Sequence, residues 1–259
     1  MKKFVLPAVY FIVGIALLMG MFDLASWITA KNQIPIPPAS KVLGTMYDMW
    51  KDPFYDNGPN DKGIGFQLLK SLLTVFKGFS LATLVALPVG YLIGSSKIFM
   101  SILNPIIQIL KPVSPLAWFP LGLALFGVSD QAAVFAVFIT CIWPTLVNTA
   151  LGVASVPSDH KNVGKAFGFS TWKSITKIYL PFSLPYIFTG LKLSIGVAWL
   201  VIVAAEMLSG GSGIGFFVWD SWNASSLEKV IAAILIIGVV GLLLDKLFSA
   251  LQHKYSYGA

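Results

Sequence analysis

Residues 132–152 read AAVFAVFITCIWPTLVNTALG, with no charged side chain from end to end. An apolar run of about 18 residues or more is long enough, as a helix, to cross the hydrocarbon core of a bilayer. Comparable runs occupy residues 68–94, 99–126, 184–208 and 230–251, and another follows Met1 as far as about Met21. Of the 259 residues, 56% are hydrophobic and 11% charged, and mean hydropathy is +0.80. A soluble domain is about 45–50% apolar and about 25% charged, so a chain this apolar could not cover itself in water. Disorder, collagen-like fibre and soluble enzyme are excluded. The expected fold class is an all-α polytopic membrane protein of about six transmembrane helices.

The start, Met1-Lys2-Lys3 and then an apolar stretch, imitates a signal peptide. Its apolar part exceeds the usual 7–15 residues, and Asp23 and Trp27 stand where a small-residue cleavage site belongs, so it reads as a retained first helix. A polar segment rich in Pro, Gly, Asn and Asp follows to about Gln67, with one short helix expected near Ser40–Trp50. The chain then divides into residues 1–67 (first helix and polar extracytoplasmic segment), 68–252 (a five-helix core with a loop at about 155–183) and a tail at 253–259. The span at 99–126 is peculiar, because Pro105, Pro112, Pro115 and Pro120 interrupt it. Proline removes a backbone hydrogen bond and clashes with the preceding turn. Broken backbone survives at membrane depth only where protein buries it or it lines a cavity.

All 18 basic residues are lysine, against 11 acidic ones, a net charge of +7. They lie largely between the spans, where lysine excess marks the cytoplasmic side rather than nucleic-acid binding. The segments at 1–3, 97, 153–183 and from 245 on hold nine lysines and two aspartates. The opposite segments hold five lysines and seven acids. Both termini and the 153–183 loop are therefore expected in the cytoplasm. The single cysteine, Cys141, permits no disulfide within one chain.

That loop runs Val163-Gly164-Lys165-Ala166-Phe167-Gly168-Phe169-Ser170-Thr171-Trp172-Lys173-Ser174-Ile175-Thr176-Lys177-Ile178-Tyr179-Leu180-Pro181. Ser170 is placed to cap a helix running towards Tyr179, and Pro181 is expected to end it. Gly168, nine residues, Ile178, one residue and Leu180-Pro181 resemble the cytoplasmic loop of permease subunits of bacterial ABC importers. In that family the loop is Glu-Ala-Ala, three residues, Gly, nine residues, Ile, one residue, Leu-Pro. Here Asn162, Val163 and Gly164 replace the Glu-Ala-Ala portion, a departure compatible with the nitrate, sulfonate and taurine branch. The resemblance covers about residues 65–252. Within it, Lys111-Pro112-Val113-Ser114-Pro115-Leu116-Ala117-Trp118-Phe119-Pro120 is similar to that branch's broken span and 142–149 to its next span, and the stretches 198–208 and 213–220 are similar to nitrate and bicarbonate permeases in particular.

The resemblance implies a type I ABC importer permease fold, located in the bacterial cytoplasmic (inner) membrane and moving nitrate or nitrite by alternating access. Bicarbonate, cyanate and sulfonates such as taurine are the alternative solutes. It implies a second permease copy, two cytoplasmic ATP-binding subunits docked on Lys165, Ala166, Phe167, Gly168, Ile178, Leu180 and Pro181, and an extracytoplasmic solute-binding protein. No cofactor is expected in this chain. ATP and Mg belong to the ATPase subunits, and the one Gly-Lys pair, Gly164-Lys165, is followed by Ala166 rather than by the Ser or Thr of a phosphate loop.

Ionisable residues within a bilayer are costly and are functional candidates by default. Lys111, beside Pro112 and Ser114, is the candidate anion contact. Glu206 reads as an acceptor from lysine or backbone N–H groups at a gate. Trp118, Trp143 and Trp199 are pathway candidates whose alternative is packing. Thr145 and Asn148, one turn apart, offer hydrogen bonds to a solute or between helices. A secondary transporter should show internal repeats or coupling carboxylates at mid-membrane. A membrane enzyme should show a catalytic constellation. Neither is legible.

Overall fold

The computed structural model describes residues 2–31, 35–58 and 61–255; in the first helix it describes side chains at 10, 13, 14 and from 16 on. Met1, Pro59 of the polar segment and residues 256–259 of the expected tail lie outside the described residues, as do the side chains of Lys2 and Lys3. Eleven α-helices are seen among the described residues: α1 Lys2–Thr29, α2 Ala39–Lys51, α3 Ile64–Ser95, α4 Lys97–Leu110, α5 Trp118–Phe126, α6 Ser129–Ala154, α7 Ser158–Ala166, α8 Thr171–Ser174, α9 Leu180–Ser209, α10 Ile214–Asn223 and α11 Leu227–Tyr255. The fold is all-α. Four continuous helical stretches, Ile64–Ser95, Ser129–Ala154, Thr171–Ser209 and Leu227–Tyr255, are long and apolar enough to cross a membrane.

The centre is a three-helix crossing of α3, α6 and α9, with α10 and α11 packed on α9. Lipid tails are as apolar as leucine, so close packing of small residues must supply what hydrophobic burial cannot. Gly90 of α3 lies so near α6 that a Cβ there would stand 2.8 Å from the Leu146 carbonyl, and one at Gly190 of α9 would stand 2.9 Å from that of Pro144. Contacts Gly78–Val137 and Gly90–Leu146 advance together along α3 and α6, so these helices run parallel. Cys141–Ser194 and Gly152–Tyr186 run in opposite senses, so α9 returns. The bundle thus has two ends, one carrying Ile64, Ser129, Ser209 and Leu227, the other Ser95, Ala154 and the 155–180 loop.

Since α3 and α6 are parallel, α4 and α5 must carry the chain back between them. They do so as a broken crossing: Lys97–Leu110 and Pro115–Phe126 meet at 88°. The proline-interrupted span at 99–126 is therefore two half-helices. Two of the four prolines stand at the corner. Lys111, although it precedes Pro112, stays helical (φ −56°, ψ −43°). Ser114 precedes Pro115 and turns extended (ψ 129°), the conformation that steric conflict with a following proline ring imposes. The second proline sets the corner.

Pro181 does not end its helix, as the sequence suggests it should. Residues Ile175–Tyr179 form a π turn, and the helix runs on unbroken from Thr171 to Ser209. The wider i→i+5 turn changes the bonding register just before a residue that has no N–H to give, so the proline is absorbed within the first turn of α9.

Helix α2 lies at Ala39–Lys51, where sequence placed a short helix, and its Val42 packs on Ile231 and Ala232 of α11. Asp23, exposed near the end of α1, accepts a hydrogen bond from the Ala39 N–H (2.9 Å) at the start of α2. The chain between α2 and α3 closes on itself through Lys62 and Asp56 (2.8 Å). The Lys62 ammonium and the Gly58 N–H beside Asp56 hold its carboxyl below the usual carboxylate range.

Candidate functional site

Three places gather the functional candidates. At the loop end, α7 closes with Gly168 at φ +61°, a left-handed position that favours glycine. The Phe169 N–H reaches the Gly164 carbonyl (2.9 Å) and the Gly168 N–H that of Lys165 (3.0 Å), the paired bonds of a Schellman cap. Ser170 then accepts from the Lys173 N–H (3.3 Å) and starts α8. Gly164 is pressed by Ile178, whose Cδ1 would lie 2.6 Å from a Cβ. Gly168 itself meets nothing within 4 Å, so its glycine answers to dihedral angle and not to space. This braced corner pushes Phe167 and Trp172 outward at 74% and 73% exposure, with Lys165 and Lys173 beside them. Leu180 and Pro181 are exposed at the start of α9. Large aromatics held in the open on a rigid turn leave apolar surface uncovered. Trp172, quoted within the loop, was missing from the residues marked there.

At the opposite end, Glu206 is 3% exposed. Its Oε2 accepts from Ser71 Oγ (2.8 Å) and from the Gly215 N–H (3.0 Å), while Ser71 Oγ accepts from the Ile214 N–H (2.9 Å) and Gln67 Oε1 from the Gly213 N–H (2.6 Å). The first N–H groups of α10, which have no partner within their own helix, are thus satisfied by α3 and α9. Glu206 ties three helices together. Its expected backbone N–H partner is present, and no lysine lies in ion-pair range among the described residues.

The remaining marked residues do not converge on one site. Lys111 and Ser114 are exposed at the corner, and Trp118 there is half-buried. Lys111 sits at the carbonyl end of α4, where a cation complements the helix dipole. Thr145 and Ser194 share a hydrogen bond (2.8 Å) between α6 and α9. Asn148 donates to its own helix at the Pro144 carbonyl (2.8 Å), and half-buried Trp143 stands beside that proline. Trp199 is buried and donates Nε1–H to the Ile237 carbonyl of α11 (3.0 Å). In this arrangement Thr145 and Trp199 join helices rather than face a cavity.

Charged residues passed over in the sequence lie nearby. Lys70 of α3 pairs with Asp130 of α6, and Lys192 of α9 with Asp245 of α11 (3.4 Å). A cleft of about 640 Å³ at the Ile64 end is lined by Lys62, Gln67, Lys70, Asp130 and Ser209–Ser212. A second, about 630 Å³ and largely apolar, is lined by Lys77, Leu81, Phe135 and Phe138 and shares Asp130. Their signal was available: Lys70, Lys77 and Lys192 are charges within apolar spans.

The model of the family described as binding-protein-dependent transport system inner membrane component matches residues 82–257. The chain is 46% identical over 217 residues (84% of this chain, 79% of the relative) to the nitrate import permease protein NrtB of Synechocystis sp.. It is 42% identical over 264 residues (98% and 90%) to the bicarbonate transport system permease protein CmpB of the same organism. A chain of the MetNI methionine ABC transporter in an inward-facing conformation superposes with TM-score 0.65 over 73% of this chain and 94% of that one, at 13% identity, which speaks to fold alone. The chain is a membrane permease subunit, not an enzyme, and belongs to the binding-protein-dependent transport system inner membrane component family.

Proposed function

We propose that this chain forms the membrane pathway of an ATP-driven importer for a small inorganic anion, nitrate or nitrite, as two copies that rock between outward- and inward-open states. The observation that carries the reading is the braced corner at 164–181, with Phe167 and Trp172 held outside the bundle for a partner. Two ATPase subunits dock there, which puts that end and both termini in the cytoplasm. The Ile64 end then faces a binding protein that delivers the anion. Likeness to the nitrate permease NrtB supports the solute. Bicarbonate is the second reading, favoured by alignment to CmpB along 98% of this chain.

The test is uptake by the complete complex in proteoliposomes, with labelled nitrate and labelled bicarbonate offered against each other. Nitrate uptake that excess bicarbonate leaves unchanged is the expected result. Bicarbonate uptake insensitive to nitrate would transfer the reading to the second solute.

Lys111, Ser114 and Trp118 are proposed to border the anion's path where the broken crossing opens, with Trp143, Asn148, Thr145, Trp199 and Glu206 holding the helices around it. Lys111→Met keeps the stem and deletes the charge. A charge-assisted contact contributes about 1.5–3 kcal/mol, so uptake falls by roughly tenfold or more, with the complex still co-purifying. Lys111→Arg keeps part of the activity. A methionine variant that imports at the wild-type rate would leave Lys111 as the end of α4 and nothing more.

A further inference from the structure

We propose that Lys70 and Lys77 form a two-step relay for a small monovalent oxoanion along α3, a site that rests on the importer reading and lies apart from the Lys111 corner. The two lysines are seven residues apart, hence on one face of the helix and about 10 Å from each other along its axis. Each borders one of the two neighbouring clefts, and Asp130 borders both.

Their charges are balanced unequally. Lys62, nearest the mouth, pairs with Asp56, and Lys70 pairs with Asp130. Lys77 has no carboxylate in ion-pair range among the described residues and is exposed on α3. It lies thirteen residues, or about 20 Å, from the Ile64 end of a helix long enough to cross the membrane. An unpaired ammonium at that depth is costly against hydrocarbon, and it persists where it faces water or meets an anion. The uncompensated positive charge therefore lies deeper than the compensated ones, which draws an anion inward. At Lys70 the arriving anion competes with Asp130 for the ammonium; at Lys77 it has no competitor. The apolar walls of the second cleft, Leu81, Phe135 and Phe138, weaken screening there and strengthen the contact.

A phosphate headgroup of an anionic lipid would satisfy the same ammonium, so the test separates the two sources. Cys141 is the chain's one cysteine and is buried, so Leu81→Cys, one turn beyond Lys77 on the wall of the same cleft, introduces a single reactive thiol and leaves the ammonium in place. In the complete complex, reconstituted in purely zwitterionic lipid, a negatively charged, membrane-impermeant thiol reagent should modify that variant, and nitrate should slow the modification in a concentration-dependent way. No reaction, or reaction indifferent to nitrate, overturns the relay. Slowing produced by anionic lipid in place of nitrate assigns Lys77 to the bilayer and overturns it equally.

The second arm is transport. Lys77→Met should lower nitrate uptake at least tenfold while the variant still co-purifies with its ATPase subunits, and Lys77→Arg should recover part of the loss. Wild-type complex that imports neither nitrate nor bicarbonate defeats the importer reading itself. Wild-type import with an equally active Lys77→Met variant defeats the relay alone.

Discussion

Replacing Phe167 and Trp172 together by alanine separates this chain from its ATPase subunits while leaving its own fold intact. Both rings are nearly three-quarters exposed, so their loss opens no cavity in the bundle. A buried aromatic at the centre of a protein interface is typically worth about 2 kcal/mol or more on truncation, roughly a thirtyfold loss of affinity each. The pair therefore weakens docking by roughly two to three orders of magnitude if the effects add. Co-purification and transport should be lost together, and the thermal midpoint of the isolated chain should not move. Undisturbed co-purification would place the docking face elsewhere.

Gly213→Ala has the largest expected effect on the fold. Gly213 sits at φ +119°, ψ 163°, a region open essentially to glycine alone, and its Cβ would run into the carboxylate of Glu206. That carboxylate cannot retreat without abandoning Ser71 and the Gly215 N–H. Backbone strain of about 1–3 kcal/mol adds to an overpacking cost of about 1–3 kcal/mol. At about 2–4 °C per kcal/mol for a chain of this size, the melting midpoint in detergent falls by roughly 10 °C. Gly196→Ala in α9, where a Cβ meets nothing within 4 Å, is the matched control and should be neutral or slightly stabilising. Equal melting of both variants would contradict the three-helix junction at Glu206.

The spans were legible because an uncharged run such as 132–152 admits one physical solution in a bilayer. The broken crossing was half legible. Four prolines announced it, but only the local geometry shows that Lys111 stays helical before Pro112 while Ser114 does not before Pro115. Pro181 was misread because a π turn is a change of bonding register with no compositional mark. The loop at 163–181 was read from local signals: a left-handed glycine and a serine cap act within a few residues. The pairings at that end span the chain, Lys70 with Asp130 beside the clefts and Ser71 with Glu206 in the helix junction. Which lysine of an apolar helix finds a carboxylate depends on how α3 and α6 cross, and that is set by packing at Gly78 and Gly90 rather than by any pattern around the lysine itself.

The most direct measurement of the central claim is anion uptake into proteoliposomes that hold this chain with its ATPase subunits and binding protein, with ATP present, with ATP absent and with vanadate added. The account expects uptake only with ATP, its loss under vanadate, and no ATP hydrolysis by this chain purified alone. Uptake by the chain alone down an ion gradient, at the rate of the full complex and indifferent to vanadate, would contradict it.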